Sequence, residues 1–273
     1  EDTWYICWPV TAIASKQLSG DLNVIATTIY GIYYTYTKAG GVNLAAGKYY
    51  QSTLTMYKMA ASAISGDLGK LICTAGHIHA SGADAACTAE RVAVITYVGS
   101  DAETSTSNTA YKHGLALAMS DADDGSGATW CSQHAATCLT SQCGNESDAL
   151  ADMAGIAHTD YLINNVPDGH NHTDKAASLA RSNHGTAHPT GTSDWFLPSA
   201  GQWEKMRNVA GGAALRTIAG LPDTGTDFDY YWSSTEHDVI KAWVYRPYQS
   251  GSWNFFGKDN SSYPLRVRAA IAF

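Results

Sequence analysis

Charged residues are scarce in this sequence, and acidic residues outnumber basic ones. They account for 15% of its 273 residues, and 25 acidic against 17 basic residues give a formal net charge of −8 at pH 7. No run of five basic residues occurs, whereas binding to nucleic acid or to an anionic membrane depends on clustered Lys and Arg. The composition therefore argues against both partners.

Long hydrophobic runs and a recognisable leader are also missing. No apolar stretch reaches the roughly 18 residues that a membrane-spanning helix requires, and no signal peptide begins at Glu1. The chain has no initiator methionine and opens on strand-like residues. We expect the mature or truncated product of an exported protein, extracellular or on a bacterial cell surface, without a direct membrane span.

Motifs for catalysis are absent too. The sequence has no GxSxG elbow and no paired-carboxylate motif, and His237 has no nucleophile beside it. We therefore expect neither an enzyme nor a cofactor.

An even number of cysteines in an apparently exported chain favours disulfides. The six are Cys7, Cys73, Cys87, Cys131, Cys138 and Cys143. Short loops favour pairing Cys131 with Cys138 and Cys73 with Cys87, although Cys143 competes for Cys131 or Cys138. No CxxC pair exists, which argues against a metal site built from these cysteines.

Histidines are the other candidate metal ligands. Those weighed are His158, His170, His172, His184 and His188, with His77 and His79 upstream. His170 and His172 could place two imidazoles on one side of an extended segment, with oxygen from Asp168 or Asp174, and a transition metal is chemically possible there. No HExxH pattern occurs and the spacings are irregular, so we expect polar loop histidines and no metal.

An acidic turn invites comparison with a calcium-binding loop. Asp121, Asp123 and Asp124 precede Gly125, but an EF-hand loop needs Gly at position six and Glu at position twelve. Here Gly125 falls at position five and Ser132 at position twelve. We expect a solvated turn.

Period-two alternation predicts four strands in the first 58 residues. The alternating residues are Trp4, Ile6 and Trp8; Leu22, Val24 and Ala26; Ile32, Tyr34 and Tyr36; and Tyr50, Ser52, Leu54 and Met56. Further strands are expected over 71–80, 91–99 and 113–119, and helices over 81–90, 146–158 and 174–182.

Two sequence patterns near the C-terminus predict a helix and a strand more specifically than the patterns above. Ser199 and Gln202 form a capping-box pattern, which predicts a helix with Trp203 and Met206 facing inward. The last nine residues alternate between apolar side chains and Arg or Ala, which predicts a strand with one buried face. Its inward residues would be Leu265, Val267, Ala269, Ile271 and Phe273.

Between these elements, residues 237–263 have the composition of a binding surface. This window holds seven aromatic residues, and much of the rest is Ser, Asn, Asp and Gly. Aromatic side chains give a large contact area at low entropic cost, while small polar residues give adaptable hydrogen bonds. Packing of these aromatics in the core of edge strands is the alternative.

Several motifs together resemble the C-type-lectin-fold variable proteins of diversity-generating retroelements. The motifs are DWFLPSAGQWEKM (Asp194–Met206), YYWSSTE (Tyr230–Glu236), Trp243, SGSW (Ser250–Trp253) and LRVRAAIAF (Leu265–Phe273). The resemblance implies an α+β lectin-type fold, shared with formylglycine-generating enzymes, with a variable region at about 230–273. The catalytic cysteines of those enzymes have no counterpart here, because no Cys follows Cys143.

The resemblance also divides the variable region into two sets. In that family adenine-rich codons are randomised, which never yields Lys, Gln, Glu, Trp or Met. The implied ligand-binding set is His237, Asp238, Val239, Ile240, Val244, Tyr245, Arg246, Pro247, Tyr248, Asn254, Phe255, Phe256, Gly257, Asp259, Asn260, Ser261 and Ser262. The implied scaffold is Lys241, Trp243, Gln249, Trp253 and Lys258, together with Trp203, Trp232, Leu265 and Val267. The contacts we expect to matter most are Tyr245, Arg246, Tyr248, Phe255, Phe256, Asp259 and Asn260.

A second motif, VNLAAGKYYQSTLTMYK (Val42–Lys58), resembles the closing strands of fimbrillin-like pilin domains. The match covers only the last part of such a β-sandwich, so the other strands precede Glu1, come from a partner, or do not exist. We expect an all-β pilin-like domain over residues 1–60 and a lectin-type ligand-binding domain over 61–273.

These features favour a non-enzymatic adhesin or receptor-like surface protein that binds an unknown protein or glycan. The alternatives are a structural or tip pilin subunit, with another pilin or surface protein as partner, and a carbohydrate-binding lectin that works without calcium. Calcium is not expected because the EPN, QPD and WND triplets of calcium-dependent lectins are absent; Trp253 and Asn254 are followed by Phe255.

Overall fold

The structure is a computed structural model of the chain. It describes residues 2–9, 16–18, 22–27, 33–38, 42–44, 49–80, 87–103, 110–131, 138–165, 175–208, 216–217, 219–221, 229–247, 251–259 and 265–273. The strands among them are β1 (Asp2–Pro9), β2 (Lys16–Leu18), β3 (Leu22–Thr27), β4 (Tyr33–Lys38), β5 (Val42–Leu44), β6 (Tyr49–Lys58), β7 (Leu71–Cys73), β8 (Ile78–His79), β9 (Arg91–Val98), β10 (Gly114–Ala118), β11 (Tyr231–Glu236), β12 (Lys241–Arg246), β13 (Ser252–Gly257) and β14 (Ala270–Ala272). The helices are α1 (Glu146–Ala151), α2 (Gly155–Asn164), α3 (Ala176–Ser182) and α4 (Ala200–Asn208), with 3₁₀ turns at Ala60–Ser62, Ser65–Asp67 and Asn183–Gly185.

The N-terminal strands form an antiparallel sheet in the order β1-β6-β4-β3, and β2 pairs separately with β5. In β1 and β6, Trp4 lies opposite Leu54, and in β3 and β4, Val24 lies opposite Tyr36. The four strands predicted from period-two alternation are confirmed. The predicted boundary at residue 60 falls at the 3₁₀ turn that follows β6, and the division into two domains stays a prediction.

The second sheet has five strands in the order β14-β10-β9-β7-β8, so the C-terminal strand lies at its edge beside β10. The carbonyl of Phe273 accepts hydrogen bonds from the backbone N–H groups of His113 and Gly114, which fixes the chain end in the fold. The predicted strand over 71–80 is a short hairpin of β7 and β8. Of the predicted helix over 81–90, residues 81–86 lie outside the described residues and 87–90 are not helical.

Of the predicted C-terminal strand, the structure has Ala270–Ala272 as β14, with isolated bridges at Leu265 and Arg266, and the segment is buried on both faces, not on one as its sequence pattern predicted. The residues from Leu265 to Phe273 that point one way enter the main hydrophobic cluster with Trp130 and Trp232. Ala270 and Ala272, which point the other way, pack in a second cluster with Trp203. Ala270 and Ala272 are small enough to lie under a second layer, which the one-face prediction did not allow for.

Arg268 and the acidic turn are joined in the same region. Arg268 is 3% exposed and its Nε donates to Asp121 Oδ1 over 2.6 Å, while Arg266 donates to Asp121 Oδ2 over 2.9 Å. Asp123 is also buried and accepts from the backbone N–H groups of Val267 and Gly127. The expected solvated turn is therefore wrong for both carboxylates, because they hold the terminal strand in place.

The predicted helix over 146–158 is two helices with a break between them. Asn145 caps α1 by accepting from the backbone N–H of Asp148 over 3.0 Å. At the break, the carboxylate of Asp152 accepts from the N–H of Ala154 and the hydroxyl of Thr235. The side chain therefore replaces the helical hydrogen bonds that the chain gives up there.

The capping box that predicted α4 is present. The amide oxygen of Gln202 accepts from the backbone N–H of Ser199 over 2.9 Å, and the Ser199 hydroxyl accepts from the N–H of Gln202 over 3.4 Å. Trp203 and Met206 face inward and are buried. The helix lies against β11 and β12 of the third sheet, whose order is β11-β12-β13.

The expected disulfides are not formed. The sulfur atoms of Cys131 and Cys138 are 3.0 Å apart and those of Cys73 and Cys87 are 3.8 Å apart, whereas an S–S bond is about 2.0 Å long. The cysteines predicted to pair do lie next to each other, but none of these four is in a disulfide bond.

A buried ion pair joins the ends of the third sheet to the loops around it. Lys258 and Glu236 have fully buried side chains, and the ammonium donates to Glu236 Oε1. The same carboxylate accepts from the backbone N–H groups of Cys138 and Leu139, over 2.7 and 3.0 Å. Lys258 also donates to the carbonyl of Val239 over 3.0 Å. Each charge is therefore both paired and hydrogen-bonded, the condition under which buried charges are tolerated.

Replacing Lys258 by Met should destabilise the protein by about 3–5 kcal/mol, because a buried carboxylate loses its counterion. Lys205→Met is the matched control, since the pair of Lys205 with Asp101 is about half exposed and should be worth no more than about 1 kcal/mol. Urea unfolding of the two variants measures the difference. Equal losses would contradict the role assigned to the buried pair.

Candidate ligand-binding surface

The antiparallel hairpin of β12 and β13 presents two faces of different character. Trp243 lies opposite Phe255 and Tyr245 opposite Trp253, so these four aromatic residues share one face. Val244, Arg246 and Phe256 belong to the other face, because successive residues of a strand point to opposite sides. The middle of β12 is buried on both faces, whereas β13 is more open.

The covered end of the first face packs on helix α4. Tyr245 has no solvent exposure, and its ring stacks on Trp203 with centroids 5.0 Å apart. Burial raises the pKa of Tyr245 to about 12, so its phenol stays neutral. Trp253 lies 5.4 Å from Tyr245 and donates its indole N–H to Glu204 over 3.0 Å. This end is core.

The open end of the same face is an aromatic and charged group that we call the Phe255 surface, defined by His237, Val239, Lys241 and Phe255, together with Asn254, the exposed neighbour of Phe255 on the other face of β13. Phe255 is 38% exposed and Val239 46% exposed. The rings of His237 and Phe255 are 4.2 Å apart, and the ammonium of Lys241 lies 4.7 Å from the Phe255 centroid. An apolar ring flanked by a cation and hydrogen-bonding groups suits contact with a partner.

Trp243 supports this surface from below. Its ring meets Phe255 edge-on at 5.6 Å and is 4% exposed. Its indole N–H donates to the carbonyl of Cys143 over 2.7 Å. The exposed ring of Phe255 therefore rests on a side chain whose orientation is fixed.

The turn before β12 is held by a carboxylate. Asp238 Oδ1 accepts from the backbone N–H groups of Ile240 and Lys241, over 2.8 and 2.9 Å, and Oδ2 lies 2.8 Å from His237 Nδ1. Partial burial acts to raise the pKa of Asp238, but these hydrogen bonds outweigh it and lower the pKa below its ordinary value. Asp238 is thus ionised at neutral pH and orders the turn that displays Val239.

The second face of the hairpin packs mainly on Tyr230. Phe256 is half-buried and its ring meets Tyr230 edge-on at 5.1 Å. The guanidinium of Arg246 lies 5.2 Å from the centroid of the same ring. These two residues keep limited exposure, so they lie at the rim of any contact made through this face.

The predicted ligand-binding set therefore separates into three groups. Val244, Tyr245 and Pro247 are buried, and their assignment as ligand contacts is corrected: Val244 and Tyr245 enter the two hydrophobic clusters. Those with exposed or half-buried side chains are His237, Asp238, Val239, Ile240, Arg246, Asn254, Phe255, Phe256, Gly257 and Asp259. Those outside the described residues are Tyr248, Asn260, Ser261 and Ser262.

The residues assigned to the scaffold have the burial that such a role requires. Trp203, Trp232, Trp243, Leu265, Val267 and Lys258 are buried, and Trp253 is half-buried. Gln249 lies outside the described residues. Lys241 differs from the rest, because its ammonium belongs to the Phe255 surface.

A second group of chemically active side chains lies far from this surface in the sequence. One ligand atom from each of Cys73, His77, His79 and Cys87 lies within 4.8 Å of every other. Burial, and then the neighbouring His79, lower the pKa of His77 to about 4, so its ring is neutral at pH 7. Sequence analysis missed this group because its spacing, Cys-x3-His-x-His-x7-Cys, contains no CxxC pair. The sequence feature that could have identified this group is the placement of His77 and His79 between Cys73 and Cys87.

The other histidines weighed as metal ligands are dispersed. His158, His184 and His188 each lie 3.2 to 3.4 Å from a different carboxylate, those of Asp152, Asp124 and Asp194. His170 and His172 lie outside the described residues. His158, His184 and His188 therefore form separate polar contacts and do not share a site.

Comparison with known proteins gives one informative match. No family model and no curated protein matches the chain. The fold is similar to that of a fimbrial protein from Bacteroides ovatus, with a TM-score of 0.52 and 13% sequence identity, over 89% of this chain and 57% of that one. The chain thus spans little more than half the length of this neighbour. At this identity the likeness shows a fimbrillin-like β fold, while the lectin-type assignment stays a prediction.

Within the described part of the chain, none of the helices combines the length and apolar character needed to span a membrane.

Replacing Tyr245 by Ala should cost about 3–5 kcal/mol of unfolding free energy, because it empties a buried aromatic site. Phe255→Ala removes an aromatic ring from the same face of the same hairpin, but a partly exposed one, and should cost no more than about 1 kcal/mol. Chemical denaturation of both variants tests the assignment. A larger loss for Phe255→Ala would mean that the Phe255 surface is part of the core.

Proposed function

We propose that this chain is a non-enzymatic ligand-binding protein of the adhesin or receptor type, which displays a diversified surface outside the cell on a C-type-lectin-type scaffold. The observation that supports this most is the division of the β12–β13 hairpin. Val239, Asn254 and Phe255, which the codon rule allows to vary, are exposed. Trp243 and Lys258, which it does not allow, are buried.

The architecture of the hairpin suits such a role. A surface that tolerates substitution needs supports outside the substituted residues. Trp243 is fixed by its hydrogen bond to Cys143, and Lys258 by its pairing with Glu236. The ligand contacts would come from the Phe255 surface, with Arg246 and Asp259 at its margin, and the partner would be a protein or a glycan.

Two libraries in the same chain test the proposal. The first randomises His237, Val239, Asn254 and Phe255; the matched control library randomises Trp243, Val244, Tyr245 and Trp253. On the yeast surface, most members of the first library should resist protease and most members of the second should be cleaved. Selection of the first library against immobilised proteins and glycans should enrich specific side chains at these four positions. Equal protease sensitivity of the two libraries would contradict the proposal.

The diversification itself has an independent test. Sequences of this gene from its source population should differ at codons for the exposed set, with no Lys, Gln, Glu, Trp or Met appearing there. A reverse transcriptase and a near-copy of the 3′ coding end should lie beside the gene. Variation spread evenly over buried and exposed codons would reject a retroelement origin while leaving ligand binding open to the library test.

A pilin subunit is the second candidate, and the fold likeness to a fimbrial protein is the observation that favours it. The two proposals combine in an adhesive tip or surface-anchored subunit that partners another pilin. Immunogold labelling of source cells separates the cases: label along filaments indicates a structural subunit, label at filament ends a tip, and label over the envelope neither.

A lectin that works without calcium is a narrower form of the first proposal. Phe255 offers an exposed ring on which a sugar could stack. Glycan binding that is unchanged when calcium is added would fit this form.

A further inference from the structure

We propose that Cys73, His77, His79 and Cys87 form a structural zinc site. All four residues lie within 15 positions of the chain, and each offers one ligand atom to a common centre.

Two distances between ligand atoms match tetrahedral coordination, and all four ligand atoms lie within 4.8 Å of one another. The two sulfurs are 3.8 Å apart, and Cys87 Sγ is 3.6 Å from His77 Nδ1. With Zn–S near 2.3 Å and Zn–N near 2.0–2.1 Å, a tetrahedron places two sulfurs about 3.8 Å apart and a sulfur and a nitrogen about 3.5 Å apart. Both observed separations agree with these values.

The β7–β8 hairpin brings three of the ligands together. The backbone N–H of Cys73 donates to the carbonyl of His77 over 3.1 Å, and that of Gly76 donates to Cys73 over 2.8 Å. Gly76 has a φ of +82°, and a Cβ there would lie 2.3 Å from the carbonyl oxygen of Thr190. Only glycine fits this turn without strain. His79 is two residues beyond His77 in extended chain, which places both rings on one side.

The fourth ligand is held by the start of β9. Arg91 donates from one nitrogen to the backbone carbonyl of Cys87 over 3.2 Å, and another nitrogen lies 4.0 Å from its sulfur. Arg91 therefore fixes the position of Cys87 beside the other three ligands.

Three of the four ligands are buried and the fourth is half-buried. Cys73 is 0% exposed, His79 4% and Cys87 9%, while His77 is half-buried. Four protein ligands leave no position for water or substrate, which distinguishes a structural zinc site from a catalytic one. Two thiolates also balance the charge of Zn²⁺, so the ion can be buried without a further counterion. Two sulfur and two imidazole ligands suit zinc better than calcium or magnesium, which prefer oxygen.

The position indicates what the ion would stabilise. Tyr57, in the last strand of the N-terminal sheet, stacks on His77 at 5.0 Å and lies 4.8 Å from His79. Met59 forms a β-bridge with His77. Zinc would therefore join the β7–β8 hairpin to β9 at the place where the N-terminal sheet meets the five-stranded sheet.

The test uses the full chain without a histidine tag, purified under mildly reducing conditions with added zinc. Elemental analysis by mass spectrometry should find about one zinc per chain in the natural protein and in the control Cys143→Ser, whose thiol lies outside the group. Cys87→Ser and His77→Asn should each lose most of this zinc. His77 is half-buried, so its variant remains informative if Cys87→Ser fails to fold.

Two further readouts separate coordination from a general loss of structure. Cobalt in place of zinc should give thiolate-to-metal absorption in the natural protein and in Cys143→Ser but not in the two ligand variants. Bound zinc should protect Cys73 and Cys87 from alkylation, and a chelator should expose them and lower the melting temperature. Unchanged zinc content in the ligand variants, or a metal-free protein with Cys73 and Cys87 joined as a disulfide, would overturn the proposal.

Discussion

The fully buried pair of Glu236 and Lys258 is the constraint on which the C-terminal part depends. Glu236 ends β11 and Lys258 follows β13, so the pair closes the three-stranded sheet across its width. The same carboxylate receives two backbone N–H groups from the loop at Cys138 and Leu139. A charge without its partner here would be far costlier than in water. One interaction thus fixes strand ends, a loop and the turn at Val239.

The β12–β13 hairpin between those ends uses aromatic side chains in two ways, as core residues and as exposed residues. Tyr245 and Phe255 lie on the same face of adjacent strands, yet one is 0% and the other 38% exposed. The difference comes from what covers each ring: Trp203 of helix α4 stacks on Tyr245, whereas Phe255 contacts His237 and Trp243 at its sides and keeps part of its ring open. An open ring can then be exchanged without emptying the core, because Trp243 beneath it keeps its own hydrogen bond.

Local patterns predicted the elements well and the exposure of single residues less well. Alternation located β1, β3, β4 and β6, and the Ser199 capping box located α4, because these signals are short-range. Composition assigned Tyr245 to the ligand face, since nothing local to residue 245 shows that Trp203 lies over it. The codon rule could not correct this assignment, because it states which residues can vary and not which are exposed. The group of Cys73, His77, His79 and Cys87 was not predicted, because a hairpin turn brings its residues together and no repeated spacing marks them in the sequence.

The two ends of the molecule then differ in how they are made rigid, and the difference bears on function. At the C-terminal hairpin, the supports are a buried charge pair and indole hydrogen bonds that lie beneath the exposed residues. At the junction after β6, Tyr57, Cys73 and Cys87 are the buried members, among the described residues, of one hydrophobic cluster. Ligation of the proposed zinc would add to the stability that this packing supplies. If the proposed function and the proposed zinc site both hold, such a joint would keep the binding face in its orientation when the residues of that face change.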